Sequence, residues 1–224
     1  MSNLLSQADV MFRAALASVV VAESATDALA ANANGFTRLS GSFVADGFAV
    51  GMQVLSTGFP AGYGPRVVLD VTPSALRIVN GLPSTANAAT GRALRSFVPL
   101  PILEDNEQYE PVPGVPFTET ELVAQPSVLL GAPYNNSTRE DRGLFVVSVH
   151  GPLDVGTKAL LDTADAVLTR FAPGTVLLLS DNTAMRVRTD ATPFAGKIDQ
   201  LLAAHARIVI TIPWHAYRIN AVQS

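Results

Sequence analysis

The residues best equipped for chemistry sit around one loop, Gly151-Pro152-Leu153-Asp154-Val155-Gly156-Thr157-Lys158. Two glycines and a lysine between a strand and a helix are the raw material of a phosphate cradle. Such a cradle needs Gly-Lys-Ser/Thr in that order, so that the lysine reaches the phosphates. Here Thr157 precedes Lys158, and Asp154 puts negative charge where the phosphates would lie. The stretch reads as a βα loop. Asp162-Thr163-Ala164 resembles the Asp-Thr-Gly/Ala loop of aspartic proteases, but it falls inside a helical period, where Asp162 and Asp165 form a solvated face. His150 and His215 lie in or beside strands and are candidate general bases. No Gly-x-Ser-x-Gly elbow accompanies them, and the chain has no cysteine to act as nucleophile, disulfide partner or thiolate ligand. The three histidines (His150, His205, His215) lack metal-ligand spacing. Glu104, Asp105, Glu107 and Glu110 form an acidic cluster. It lacks the glycine and the alternating ligands of a calcium loop, so it reads as a solvated or interface face. No catalytic residue, cofactor site or metal site is expected.

The elements that position these residues follow from periodicity. Residues 144–150 are β-branched and aromatic on both faces, which predicts a central strand covered on two sides. From Thr157 the period lengthens: Leu160, Ala164, Val167, Leu168 and Phe171 form one helical stripe, stopped by Ala172-Pro173-Gly174. Residues 4–21 also read as a helix, with Leu5, Phe12, Leu16 and Val19 as its stripe and Ser6/Asp9 as a possible capping box. Residues 23–34, rich in alanine, read as its prolongation or as a hinge. Residues 117–130 read as a strand, 131–142 as a polar hairpin tip, 176–179 and 185–189 as a second hairpin. Thr192-Pro193 predicts a short helix burying Ile198, Leu201 and Leu202. Residues 207–217 read as a last strand, with Trp214 in the core or anchoring an interface.

Between residues 35 and 97 the composition changes. Short alternating runs at 36–42, 52–57, 67–71 and 75–79 are separated by Gly- and Asn-rich turns, with a helix allowed at 86–94. We expect an α/β (α+β) protein with a mixed, mostly antiparallel sheet flanked by helices. Residues 1–34 and 98–224 would form that discontinuous domain, and 35–97 an inserted small β-barrel. Turns carrying Asp46, Phe48 and Phe59 would offer exposed aromatics to a partner, and the module would decorate the main domain.

Of 224 residues, 48% are apolar and only 15% charged, with a net charge of −4. This is a folded chain, and the charge balance excludes a dedicated nucleic-acid binder with a basic patch. No basic-then-apolar leader is evident, and no apolar run reaches the roughly 18 residues of a membrane span. Synthesis as a soluble protein is expected.

A resemblance adds to this. Glu110–Phe117 (EPVPGVPF), Gly143–Gly151 (GLFVVSVHG), Gly156–Phe171 with its Ala-Pro-Gly stop, and IVITIPWHAYR near the end follow one another in the order found in tail terminator proteins of long-tailed bacteriophages and tail-like particles. It covers residues 2–22 and 100–220; residues 35–97 have no counterpart in the usual short members. It implies a structural virion protein in the neck region of the tail, made in the host cytoplasm. Its partners would be itself, in a ring that is commonly hexameric, the tail tube protein and a head-completion or neck protein, with genomic DNA passing through the lumen and no membrane involved. It implies no enzyme activity and no cofactor. The lumen would be neutral or acidic, so that phosphates slide. Interface candidates are Asp46, Phe48, Phe59, Glu104, Asp105, Glu107, Asn135, Arg139 and Arg142. Another neck or tail component is the alternative, and a small-molecule enzyme using the 151–158 loop is the alternative of a different class.

Overall fold

The computed structural model describes residues 2–25, 28–59, 63–99, 101–104, 109–130, 138–153, 156–181, 183–202 and 204–219. The fold is α+β and rich in strands. Helix α1 (Ser2–Ala17) opens the chain. Strands β1 (Val20–Ser24), β2 (Leu29–Asn32), β3 (Gly35–Arg38), β4 (Gln53–Thr57), β5 (Arg66–Val71), β6 (Ala75–Ile78), β7 (Ala86–Ala89) and β8 (Ala93–Phe97) follow. Then come β9 (Ile102–Glu104), β10 (Phe117–Leu130), β11 (Thr138–Pro152), α2 (Lys158–Arg170), β12 (Val176–Leu178), β13 (Ala184–Val187), β14 (Phe194–Leu202) and β15 (His205–Ile219).

Two sheets divide these strands. The first has eight, in the order β1-β8-β4-β5-β6-β3-β2-β7, and every pairing is antiparallel. Leu29, Phe36, Val54, Val68, Leu76 and Leu94, drawn from strands along the path, share one buried cluster with Phe43 and Phe48. The sheet therefore curls around its own core. The second sheet runs β12-β13-β15-β11-β10-β9, with β14 also paired to β15; only β9 and β10 are parallel. Aromatic rings stack within its largely aliphatic core. Phe12 of α1 stacks on Phe145 at 4.5 Å, with Phe171 and Trp214 beside it. Both helices pack on the face that carries Phe145, Val147 and Val149. The residues on the other face of β11, Leu144, Val146 and Ser148, are half-buried, so the central strand is fully covered on one side rather than on two.

Several expectations change. Helix α1 stops at Ala17, and Ser6 and Asp9 lie inside it; Asp9 pairs with Arg13 one turn on rather than capping. Residues 20–32 form two strands of the eight-stranded sheet, so the boundary drawn at Gly35 falls within the β2–β3 hairpin. The pairing of β3 with β6 fixes Gly35: a Cβ there would lie 2.0 Å from the Leu76 carbonyl oxygen. Residues 86–94 are strand and turn, not helix, because β7 and β8 complete ladders with β2, β1 and β4. Residues 194–202 are also strand. The helical spacing of Ile198, Leu201 and Leu202 is overridden by pairing along β15, a tertiary effect of the kind that routinely defeats local propensity.

Candidate functional site: a three-stranded arm

Strands β10, β11 and β15 are each 14 or 15 residues long and outrun their neighbours. On the β15 side, β13 pairs only as far as Ala216; on the β10 side, β9 pairs only with residues 118–120. Beyond that, three strands continue alone: 128–130 of β10, 138–140 of β11 and 217–219 of β15. Every residue from 124 to 130 is exposed, on both faces of the strand. The three strands therefore project from the body as an arm, with β10 as an open edge. Val128, Leu129, Leu130 and Tyr217 are its exposed apolar side chains, and β10 carries no charge past Glu121. Exposed edges are normally guarded by charge, proline or a bulge. Here Pro126 and a bulge between Gln125 and Val128 lie at the root, and Val128, Leu129 and Leu130 beyond them carry neither charge nor proline.

The root of the arm is held by ions. Asp141, with its side chain 7% exposed, accepts Ser127 Oγ at 2.6 Å, Arg139 Nε at 2.8 Å and Arg218 Nε at 2.7 Å. These bonds staple β10, β11 and β15 to one carboxylate. Glu140, equally buried, pairs with Arg142 and with His215 Nδ1 at 3.2 Å. Burying two carboxylates is costly unless each is paired and hydrogen-bonded, and both are. Burial acts most strongly on Asp141 and pushes its carboxyl up. The bonds from Ser127 and Arg218 and the Arg218 and Arg139 charges outweigh it and leave it below its usual range. Glu140 is also held low, chiefly by the Arg142 hydrogen bond. Where the arm meets the body, Gly143 is obligatory: a Cβ would lie 2.5 Å from the Val123 carbonyl oxygen and 2.6 Å from the Trp214 ring.

The other end of the same strands holds the histidines. His150 is buried, stacks on Phe117 at 4.3 Å, and its Nε2 lies 3.0 Å from Glu119. His205 Nε2 contacts the Val115 carbonyl at 3.1 Å. Burial lowers the His150 pKa, against the Glu119 charge and hydrogen bond that raise it. Gly151 packs on Leu160, and Lys158 pairs with Asp162 along α2 instead of turning over the loop; Asp154 lies outside the described residues. No cluster of three or more His, Asp or Glu placed to hold a metal occurs among the described residues.

The sequence-derived candidates separate. Arg139 and Arg142 come together at the arm. Phe48 is a core ring, 2% exposed and edge-on to Phe43, rather than an exposed anchor. Asp46 faces inward to Arg38 Nη1 at 2.5 Å, neutralising a guanidinium whose side chain is 3% exposed. Phe59 is half-buried between Phe36, Tyr63 and the Arg92 guanidinium. Glu104 ties β9 to α1 through Arg13. Asp105, Glu107 and Asn135 lie outside the described residues. Sequence reading missed Val128, Leu129, Leu130, Asp141 and Arg218. The signal was present as an uncharged Val-Leu-Leu facing Thr-Arg-Glu-Asp-Arg across a hairpin.

The outer strand of the arm, β10, carries no charge past Glu121, and exposed edges of that kind pair readily with other protein surfaces. The family model described as phage tail terminator protein matches residues 85–214, more than half of the chain. The chain belongs to that family, whose members are structural proteins of the phage tail; it is a tail component of the virion that assembles with other tail and virion parts. The match takes in β7 and β8 and leaves β1–β6 outside it. One solved structure, of a protein without a descriptive name, superposes with a TM-score of 0.42 at 20% identity, over 52% of this chain and 79% of its own. No curated protein matches the chain significantly. Among the described residues no helix is long and apolar enough to cross a membrane.

Proposed function

We propose that this protein forms a ring at the head-proximal end of the tail tube, ends tube polymerisation there, and joins tail to head or neck. Family membership over residues 85–214 is the observation that carries this reading. The arm supports it, since a projecting uncharged edge asks for a protein neighbour. In this reading the protein is not an enzyme, and genomic DNA passes the lumen without sequence-specific contact. A net charge of −4 fits a channel that does not hold phosphates. The eight-stranded sheet is then an inserted module, bounded near residues 19 and 98. Light scattering and negative-stain images test the proposal. The expected result is a closed ring, several times the 23.5 kDa protomer, that binds the end of purified tail tubes and stops their growth. A monomer at high concentration, also in the presence of tube protein, would refute it.

A further inference from the structure

A second apolar surface lies at the opposite end of the long strands. A groove of about 360 Å³ opens between β5 with the turn after β6, in the eight-stranded sheet, and the Pro-rich segment before β10. Val67, Leu69, Val79, Val112, Val115 and Leu153 line it, and no lining residue is charged. Leu69, Val79 and Val112 are all exposed in the isolated chain. A concave, uncharged, aliphatic surface of this size is of the kind that receives a partner's side chains.

We infer that this groove receives the exposed aliphatic residues of β10, Val128-Leu129-Leu130, of a second copy of the chain. Two observations choose that occupant. The surfaces match in chemistry: both are aliphatic and uncharged, while the arm's own ions are spent on one another at Asp141 and Glu140. They also cannot meet within one chain. Leu129 pairs with Arg139, and Pro152 at the far end of β11 borders the groove. Thirteen residue steps along β11, from Arg139 to Pro152, separate the two ends, roughly 40 Å at the usual rise per residue. Each copy therefore offers one knob and one hole at opposite ends, which is a heterologous contact. Repeated about an axis, such a contact closes a ring and leaves no unguarded edge; without closure it makes a fibre. The inference deepens the ring reading and rests on it. It gives the eight-stranded sheet a wall of the contact, against the expectation that this module only decorates.

The chain's lack of cysteine makes the test clean. Single cysteines are placed at Val128, Leu129 or Leu130 and combined, in one chain, with a cysteine at Leu69, Val79 or Val112. All six positions are exposed, where substitutions seldom disturb folding. At least one combination should give a ladder of covalent oligomers on oxidation, ending at the ring size, while the single-cysteine proteins give none. Independently, Leu129→Glu and Leu69→Glu should each be monomeric. Their equimolar mixture should form dimers, because one intact arm and one intact groove remain. A wild-type ring whose cysteine pairs never cross-link, or that survives either glutamate, would overturn the inference and leave the ring reading standing. Arm cysteines that cross-link alone would place arm against arm and overturn it too. A monomeric wild type would instead remove the ring reading beneath it.

Discussion

Strands β10, β11 and β15 run through two environments, and each end is held by different forces. In the body, Phe145, Val147 and Val149 meet Phe12, Leu160 and Val167 from two helices, and the ladder is held by buried apolar area. In the arm Asp141 and Glu140 hold the strands through charged hydrogen bonds to Ser127, Arg139, Arg142, His215 and Arg218. The difference has a reason. An ionic clamp ties three strands to one another and leaves Val128, Leu129 and Leu130 of β10 exposed. It also has a consequence. Apolar packing is insensitive to mild changes of pH and salt; a carboxylate clamp is not.

The largest break in this comparison should come from the body. Phe12→Ala removes the ring that touches Phe145, Phe171 and Trp214 together. Emptying such a site costs about 3–5 kcal/mol. The whole seven-stranded sheet should lose stability in denaturant melts, arm included, since the arm is a continuation of its strands. If hydrogen exchange shows the arm loosening while the body holds, the dependence runs the other way.

A smaller and more local effect is expected from Asp141→Ala. Arg139, Arg218 and Ser127 lose their common acceptor. Unmade bonds at a part-buried site cost about 1–3 kcal/mol. Amides of residues 125–129 and 139–142 should exchange faster, while those of 145–149 keep their protection. Asp141→Asn should sit between, because it can still accept a hydrogen bond. Uniform loss of protection along β11 would mean that arm and body are one cooperative unit.

How much of this was legible in the sequence follows from range. The body was: strand 144–150, the α2 stripe and the 176–189 hairpin depend on local period and stop signals, and the structure has them. Long-range pairings were not. Nothing local tells that residues 20–32 join a sheet whose other strands lie as far on as residue 97, or that Thr192-Pro193 leads into a strand along β15. At the site, Arg139 and Arg142 could be picked out as charged groups near a hairpin. Their partners could not, because Arg218 reaches Asp141 across 77 positions of sequence. Phe48 and Asp46 misled for a related reason: a turn composition usually means exposure, but this turn folds under against Arg38 and Phe43.

The smallest effect should come from pH, and it separates the two ends by window. At the body end, burial holds the His150 pKa below its ordinary value near 6.5. A depressed histidine is neutral in the fold and takes up its proton more readily when unfolded. Its contribution is therefore complete above about pH 6.5 and is lost progressively as the pH falls from there towards the folded value. At the arm, Asp141 and Glu140 are carboxyls with depressed values. Their contribution is complete above the usual carboxylate range, near pH 4, and is lost only as the pH falls through the lower folded values. Lowering the pH from 7.5 to 5.5 should then weaken protection around residues 117–119 and 149–150 while residues 139–142 stay protected. A further drop below pH 4 should release the arm. His150→Gln should remove the first transition and leave the second. Exchange measured at several pH values, corrected for intrinsic rates, reads both ends in one experiment. Simultaneous loss at both ends near pH 6 would show that the arm is not held by its carboxylates.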